Sequence, residues 1–116
     1  MADLPYLLTT REVQEVLGKA METHTVVLLY FTAKWCGPCK KIKPFVQQLQ
    51  AEHAPKLAVF AIDIDKVDAG DHKLLDHFNI QSVPTFIFVR NNQVVAIVKG
   101  ANSDTLREKT NQVLQC

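Results

Sequence analysis

The stretch from Val26 to Ala33, VVLLYFTA, is apolar or β-branched at nearly every position and shows no alternation. A strand with one wet face alternates with period two, so a run that does not alternate reads as a central strand covered on both faces. A second run of the same character extends from Leu57 to Asp65. Between them Ile42, Val46, Leu49 and Gln50 keep helical spacing in a segment from Cys39 to about His53, and Pro44 is expected to kink it by removing one backbone donor. Strand, helix and strand in this order demand a right-handed crossover in one sheet.

The remaining segments fit around that unit. Thr9 and Glu12 have capping-box spacing, and Val13, Val16, Leu17, Ala20 and Met21 follow at helical intervals, which predicts a first helix from about Thr10 to Met21. Leu74, Leu75 and Phe78 predict a third helix over Asp71 to Phe78. Thr85 to Arg90 and Gln93 to Lys99 read as antiparallel strands, because the intervening Asn91-Asn92 tolerates the positive φ angles of a two-residue hairpin turn. Ser103 is expected to cap a last helix with Asp104 in its first turn and an apolar stripe of Leu106, Val113 and Leu114. The predicted fold class is α/β: a three-layer α/β/α domain with a central mixed sheet of about four to five strands flanked by four helices. With 116 residues the chain suffices for one core without disulfide staples, so residues 1–116 are expected to form a single domain.

Composition narrows the function classes. A net charge of +1 gives no electrostatic case for nucleic acid. The longest continuous apolar run, Val26 to Phe31, falls far short of the ~20 residues that cross a bilayer, so no membrane partner is expected. Met1 to Thr10 carries Asp3 and lacks the basic and apolar regions of a secretory signal. The 3 cysteines are too few and too unevenly placed for a disulfide framework, which favours a reducing, cytoplasmic setting.

Two of those cysteines, Cys36 and Cys39, stand three apart at the start of the second helix. Neighbouring positions on a first helical turn are close enough for their sulfurs to bond. Gly37 and Pro38 suit the turn between them, since glycine relaxes the backbone and proline is tolerated where early helical amides lack partners. The helix dipole favours a thiolate by roughly 0.3 to 1 kcal/mol, well under one pKa unit. A hydrogen bond from the Cys39 thiol to the Cys36 thiolate is inferred to supply more of the shift, with the exposed Lys34 and Lys40 adding little. In the resulting asymmetry Cys36 is the outer nucleophile that forms a mixed disulfide and Cys39 the deeper thiol that resolves it. A zinc site completed by His72 and His77 is the competing reading. The long gap between Cys39 and His72 and the Gly-Pro between the cysteines speak against it, so no metal is expected and the histidines are assigned to a surface helix face.

The segment Phe31-Thr32-Ala33-Lys34-Trp35-Cys36-Gly37-Pro38-Cys39-Lys40 resembles the active-site segment of thioredoxins. The likeness continues through Pro44, Asp63-Ile64-Asp65, Val83-Pro84-Thr85 and Gly100-Ala101-Asn102, the last three in eukaryotic style. The depressed thiol pKa of such pairs is an established property of that family rather than a deduction from this sequence. The resemblance implies a protein-disulfide reductase with no bound cofactor, recharged by thioredoxin reductase at the expense of NADPH and acting as a monomer. By the same resemblance its clients include peroxiredoxin, methionine sulfoxide reductase and ribonucleotide reductase. Pro84 would be cis, with the Val83 backbone pairing with an extended substrate segment. Trp35, Val83, Pro84, Gly100 and Ala101 match positions of the substrate-binding rim, and Asp65 matches one that accepts a hydrogen bond from the tryptophan indole.

The sequence departs from the family at Tyr30, where thioredoxins usually carry a buried aspartate behind the resolving thiol, and at Ala61, which matches a lysine of bacterial relatives. Loss of both charges together makes sense as packing, a larger aromatic beside a smaller neighbour. The competing reading gives the Tyr30 hydroxyl part of the proton relay to Cys39, although its ordinary pKa of ~10 makes it a poor base. Asn92 stands where many relatives have glycine. Lys34, Lys40, Lys41 and Lys43 read first as a solvated helix face, with steering of acidic partners as the alternative. Cys116 reads as an unused chain end, the alternative being an intermolecular disulfide or a glutathione cap. Two other functions compete with the reductase: a module that binds partners only when the pair is reduced, and an oxidase or isomerase of a secretory compartment, which Pro38 disfavours.

Overall fold

The computed structural model describes residues 3–68 and 72–115; Asp71 and Cys116, which figured in the expectations above, lie outside them. The elements in chain order are α1 (Thr10–Thr23), β1 (Val26–Thr32), α2 (Gly37–His53), β2 (Leu57–Asp63), α3 (Ile64–Asp68), α4 (His72–His77), β3 (Thr85–Arg90), β4 (Gln93–Lys99) and α5 (Ser103–Gln115).

The sheet has four strands in the order β2-β1-β3-β4. β1 runs parallel to β2 and antiparallel to β3, and β3 runs antiparallel to β4. The unalternating sequence of β1 is explained by its place: all seven of its residues are buried. Val26, Leu28 and Tyr30 pack into a core with Ile42, Val46 and Leu49 of α2 and Leu106 of α5. Val27, Leu29 and Phe31 point to the other face, against Val13 and Leu17 of α1 and Leu74 of α4. β4 is an edge strand, and Val94, Val95 and Ile97 on it are exposed. Beyond the four strands, a single parallel bridge joins Tyr6 to Ala61 at the other edge. Among the described residues no helix is long and apolar enough to cross a membrane.

Three boundaries and the helix count differ from expectation. α2 begins at Gly37 rather than Cys39, because Cys36 serves as its N-cap and Pro38 fits its first turn. As expected, the helix continues past Pro44 to His53, and the proline ring nitrogen leaves the Lys40 carbonyl without an amide four residues on. The second strand stops at Asp63 rather than Asp65: Asp63 Oδ1 accepts from the Asp65 amide at 3.0 Å, and that turn starts α3. The described residues therefore hold five helices in place of the four anticipated. The last helix is capped by Asn102, whose Oδ1 accepts from the Thr105 amide at 3.0 Å, and not by Ser103, which is its first residue.

Elsewhere local chemistry behaves as read. Thr9 caps α1 by accepting from the Glu12 amide at 3.1 Å, while the Glu12 carboxylate takes the Leu8 amide at 2.9 Å. Asn91 and Asn92 have φ of 54° and 61°, the conformation a tight hairpin requires.

Candidate functional site

The two cysteines lie where β1 hands over to α2. Cys36 sits in extended backbone at the N-cap, and its sulfur accepts from the Cys39 amide at 3.1 Å. The Lys40 amide returns to the Cys36 carbonyl at 3.2 Å and closes the first turn. Cys36 and Cys39 are joined as a disulfide with their Cα atoms 5.3 Å apart. The depth order is the expected one: Cys36 is 5% exposed and Cys39 1%. The anticipated thiol-to-thiolate bond belongs to the dithiol state; in this disulfide state the donor at Cys36 Sγ is the Cys39 amide, which the helix start aims at it.

The site is then built from distant parts of the chain. The Val83–Pro84 bond is cis, as the resemblance implies, and the Val83 carbonyl oxygen lies 3.8 Å from Cys36 Sγ. A second cis bond, Ala54–Pro55, had no signal in the sequence. Gly100, with φ 92°, donates its amide to the Pro84 carbonyl at 3.0 Å, so β4 ends beside the proline. Ala101 lines a hollow that also touches Pro38. Trp35 is 67% exposed, yet its indole Nε1 donates to Asp65 Oδ2 at 2.7 Å, which fixes the ring beside the disulfide. Ala33, Ile64 and Val83 surround the cysteines with apolar contact. Lys34 and Lys40 are exposed, as anticipated, and so is His77.

Behind Cys39 the Tyr30 side chain is 1% exposed and stacks on Phe86 with ring centroids 5.0 Å apart. Its β2 neighbour in register is Ala61, which leaves room for the ring. The hydroxyl donates to the Cys39 carbonyl at 2.7 Å. Its proton is therefore committed to the main chain of the resolving cysteine, which favours packing and anchoring over a relay to the thiol. Burial pushes this hydroxyl above the ordinary tyrosine value.

Beside Cys39 opens a cavity of ≈ 290 Å³ that Tyr30, Asp63, Lys34, Lys40, Lys43 and Lys66 help to line. Lys66 belongs to α3, a short helix that the reading of a strand up to Asp65 did not anticipate. Lys43, grouped by sequence with the other lysines, is 3.1 Å from Asp3 Oδ1 and stands 5.6 Å from the centroid of the Tyr6 ring. Partial burial draws the Lys43 pKa down, but its bonds to Asp3 and Tyr6 outweigh that and leave it raised. Nothing local to Lys43 announces an ion pair with a residue at the far N-terminus.

Comparisons with known proteins agree with this geometry. The thioredoxin family model matches residues 6–112. A thioredoxin H-type of Fagopyrum esculentum is 34% identical over 101 residues, covering 87% of this chain and 83% of its own. A TPR repeat-containing thioredoxin of Arabidopsis thaliana is 36% identical over 90% of this chain, which spans only 26% of that longer protein. The crystal structure of a poplar thioredoxin h superposes with a TM-score of 0.88 at 30% identity, covering 99% of both chains.

Proposed function

The chain belongs to the thioredoxin family and is a dithiol–disulfide oxidoreductase that reduces protein disulfides with the Cys36–Cys39 pair; from that premise we propose the division of labour within the pair and the rim that receives the substrate. Cys36 is the nucleophile. Its thiolate attacks one sulfur of a client disulfide, the Cys36–client bond forms as the client bond breaks, and one client thiolate departs. Cys39, losing its proton, then displaces the second client sulfur from Cys36. The protein ends as the disulfide, the client as two thiols, and the two protons of the dithiol balance the two thiolates released.

The observation that carries this reading is the order of the two sulfurs. Cys36 caps the helix under the exposed Trp35 and against the Val83 carbonyl, whereas Cys39 lies one turn deeper with its amide aimed at Cys36 Sγ. An extended client segment passing Val83 and Pro84 would be bordered by Trp35 on one side and Gly100 and Ala101 on the other. We assign Asp65 to holding Trp35 in place and Tyr30 to anchoring Cys39. Disulfide-containing proteins and a reductase are the partners the family implies; thioredoxin reductase fed by NADPH, clients such as peroxiredoxin, methionine sulfoxide reductase and ribonucleotide reductase, and a cytoplasmic setting extend that reading. The test is reduction of insulin's disulfides, followed as NADPH consumption with thioredoxin reductase present. Turnover that Cys36→Ser abolishes is the expected result. Absence of turnover with the intact pair would leave only redox-dependent binding.

A further inference from the structure

The cavity beside Cys39 is charged out of proportion to the rest of the chain. The whole sequence carries a net +1, yet Lys34, Lys40, Lys43 and Lys66 rim this one cavity against a single carboxylate, Asp63. Lys43 is neutralised by Asp3 at 3.1 Å. Lys34, Lys40 and Lys66 take part in no ion pair among the described residues. Asp63, 4% exposed with its Oδ1 bonded by the Asp65 amide, is one negative charge against these three lysines and offsets only part of their charge.

The position of this charge matters as much as its size. Cys39 itself lines the cavity, which therefore opens beside the reacting disulfide. The hollow between Pro38 and Ala101 is lined by Lys41, Ile42 and Phe45 of α2 and shares no lining residue with it. Ala33 and Lys34 before Cys36 and Cys39 and Lys40 after it all line the cavity, so a client cysteine bonded to Cys36 has it close by, and its unpaired cations come from several elements whereas the other hollow has Lys41 of α2 alone.

Resting on the reductase reading above, we infer that this cavity receives the carboxylate side chain of a glutamate or aspartate next to the client's disulfide cysteine. The protein thereby favours protein disulfides set in acidic sequence. The lysine ammonium groups reach solvent, so the attraction acts mainly on encounter and is screened by salt. The cations come from three elements, the loop after β1 (Lys34), α2 (Lys40) and α3 (Lys66), which distinguishes the cavity from a charged helix face.

The experiment uses three synthetic peptides with one identical intramolecular disulfide, differing only in whether glutamate, glutamine or lysine precedes the attacked cysteine. Second-order rate constants for their reduction by the dithiol protein are measured in single turnover. At about 0.01 M salt the glutamate peptide is expected to react about fivefold faster than the glutamine peptide and the lysine peptide to be slowest, the order of effect of an exposed charge pair. At about 1 M salt the three rates converge. The double variant Lys40→Glu, Lys66→Glu inverts the order, and comparing peptides within one variant cancels any effect of the new charges on the cysteines. Lys19→Glu, at an exposed position of α1, keeps the glutamate preference. Equal rates at low salt, or a glutamate preference that survives the double reversal, overturn the inference while the reductase reading stands. Failure to reduce any of the three peptides overturns both.

Discussion

The Tyr30 hydroxyl donates a 2.7 Å hydrogen bond to the backbone carbonyl of Cys39, tying the centre of the sheet to the resolving cysteine. Tyr30 lies in β1 and Cys39 in the first turn of α2, so the bond spans the junction on which the pair is mounted. A carboxylate at this position could take a proton from the thiol. A phenol whose proton is already given to a main-chain carbonyl holds the backbone instead.

Tyr30→Phe should therefore lower stability at neutral pH by about 1 kcal/mol, the net worth of one buried hydrogen bond, while changing disulfide turnover little. The pH dependence has a definite sign. The folded protein holds the Tyr30 proton above the ordinary value of 10.0, so in alkali it retains a proton that the unfolded chain has lost. The tyrosine's contribution is complete below the unfolded pKa and is lost as pH rises through the raised folded value. Thermal unfolding of both proteins from neutral pH upward should show the gap between them closing above about pH 10; a gap that widens there contradicts the assignment.

Cys39→Ser removes the thiol that releases clients and should leave them covalently attached to Cys36. The adduct should survive without reductant, dissociate in dithiothreitol, and be absent from Cys36→Ser. In the dithiol protein, alkylation at neutral pH should label Cys36 ahead of Cys39, as mass spectrometry of the modified peptide would show. Labelling in the reverse order would exchange the two roles.

Asp65→Asn weakens the 2.7 Å bond from the Trp35 indole by removing the acceptor's charge. Both partners are exposed, so the stability change should be small, about 0.5 kcal/mol. Trp35 is the only tryptophan in the chain, so its fluorescence reports the ring directly. Increased ring mobility in polarised fluorescence, together with a raised KM for protein disulfides at little-changed kcat, is expected. An unaltered KM would separate the indole from substrate binding.

Asn92→Ala should cost about 1 kcal/mol, because a Cβ-bearing residue without a local side-chain bond pays for positive φ, and Asn92 sits at φ 61°. Asn92→Gly should cost nothing, since glycine adopts that conformation freely. Urea midpoints of the two variants check this. The turn lies between β3 and β4 away from the cysteines, so turnover should not change in either.

Much of this protein was legible in residue order alone. The unalternating β1 required cover on both faces and received it; Thr85–Arg90 and Gln93–Lys99 fell where their apolar runs and the Asn-Asn turn placed them; and Cys36 and Cys39 met at a helix start because spacing and helical geometry suffice for that. These are properties of one element, encoded in periodicity, propensity and turn chemistry over a few residues. The places where the reading slipped were short and competed for by side chains: Asp63 ended a strand by bonding the Asp65 amide, and Asn102 took the cap assigned to Ser103. Contacts between remote segments needed the tertiary structure. Trp35 reaches Asp65 across 30 positions and Asp3 neutralises Lys43, and Lys66 joins Lys34 and Lys40 only because parallel β1 and β2 end side by side at Thr32 and Asp63. Without an identified family nothing in local sequence reports such pairings, because which side chains meet across space is set by how the layers pack and by the register of parallel β1 and β2, terms that involve the whole chain at once.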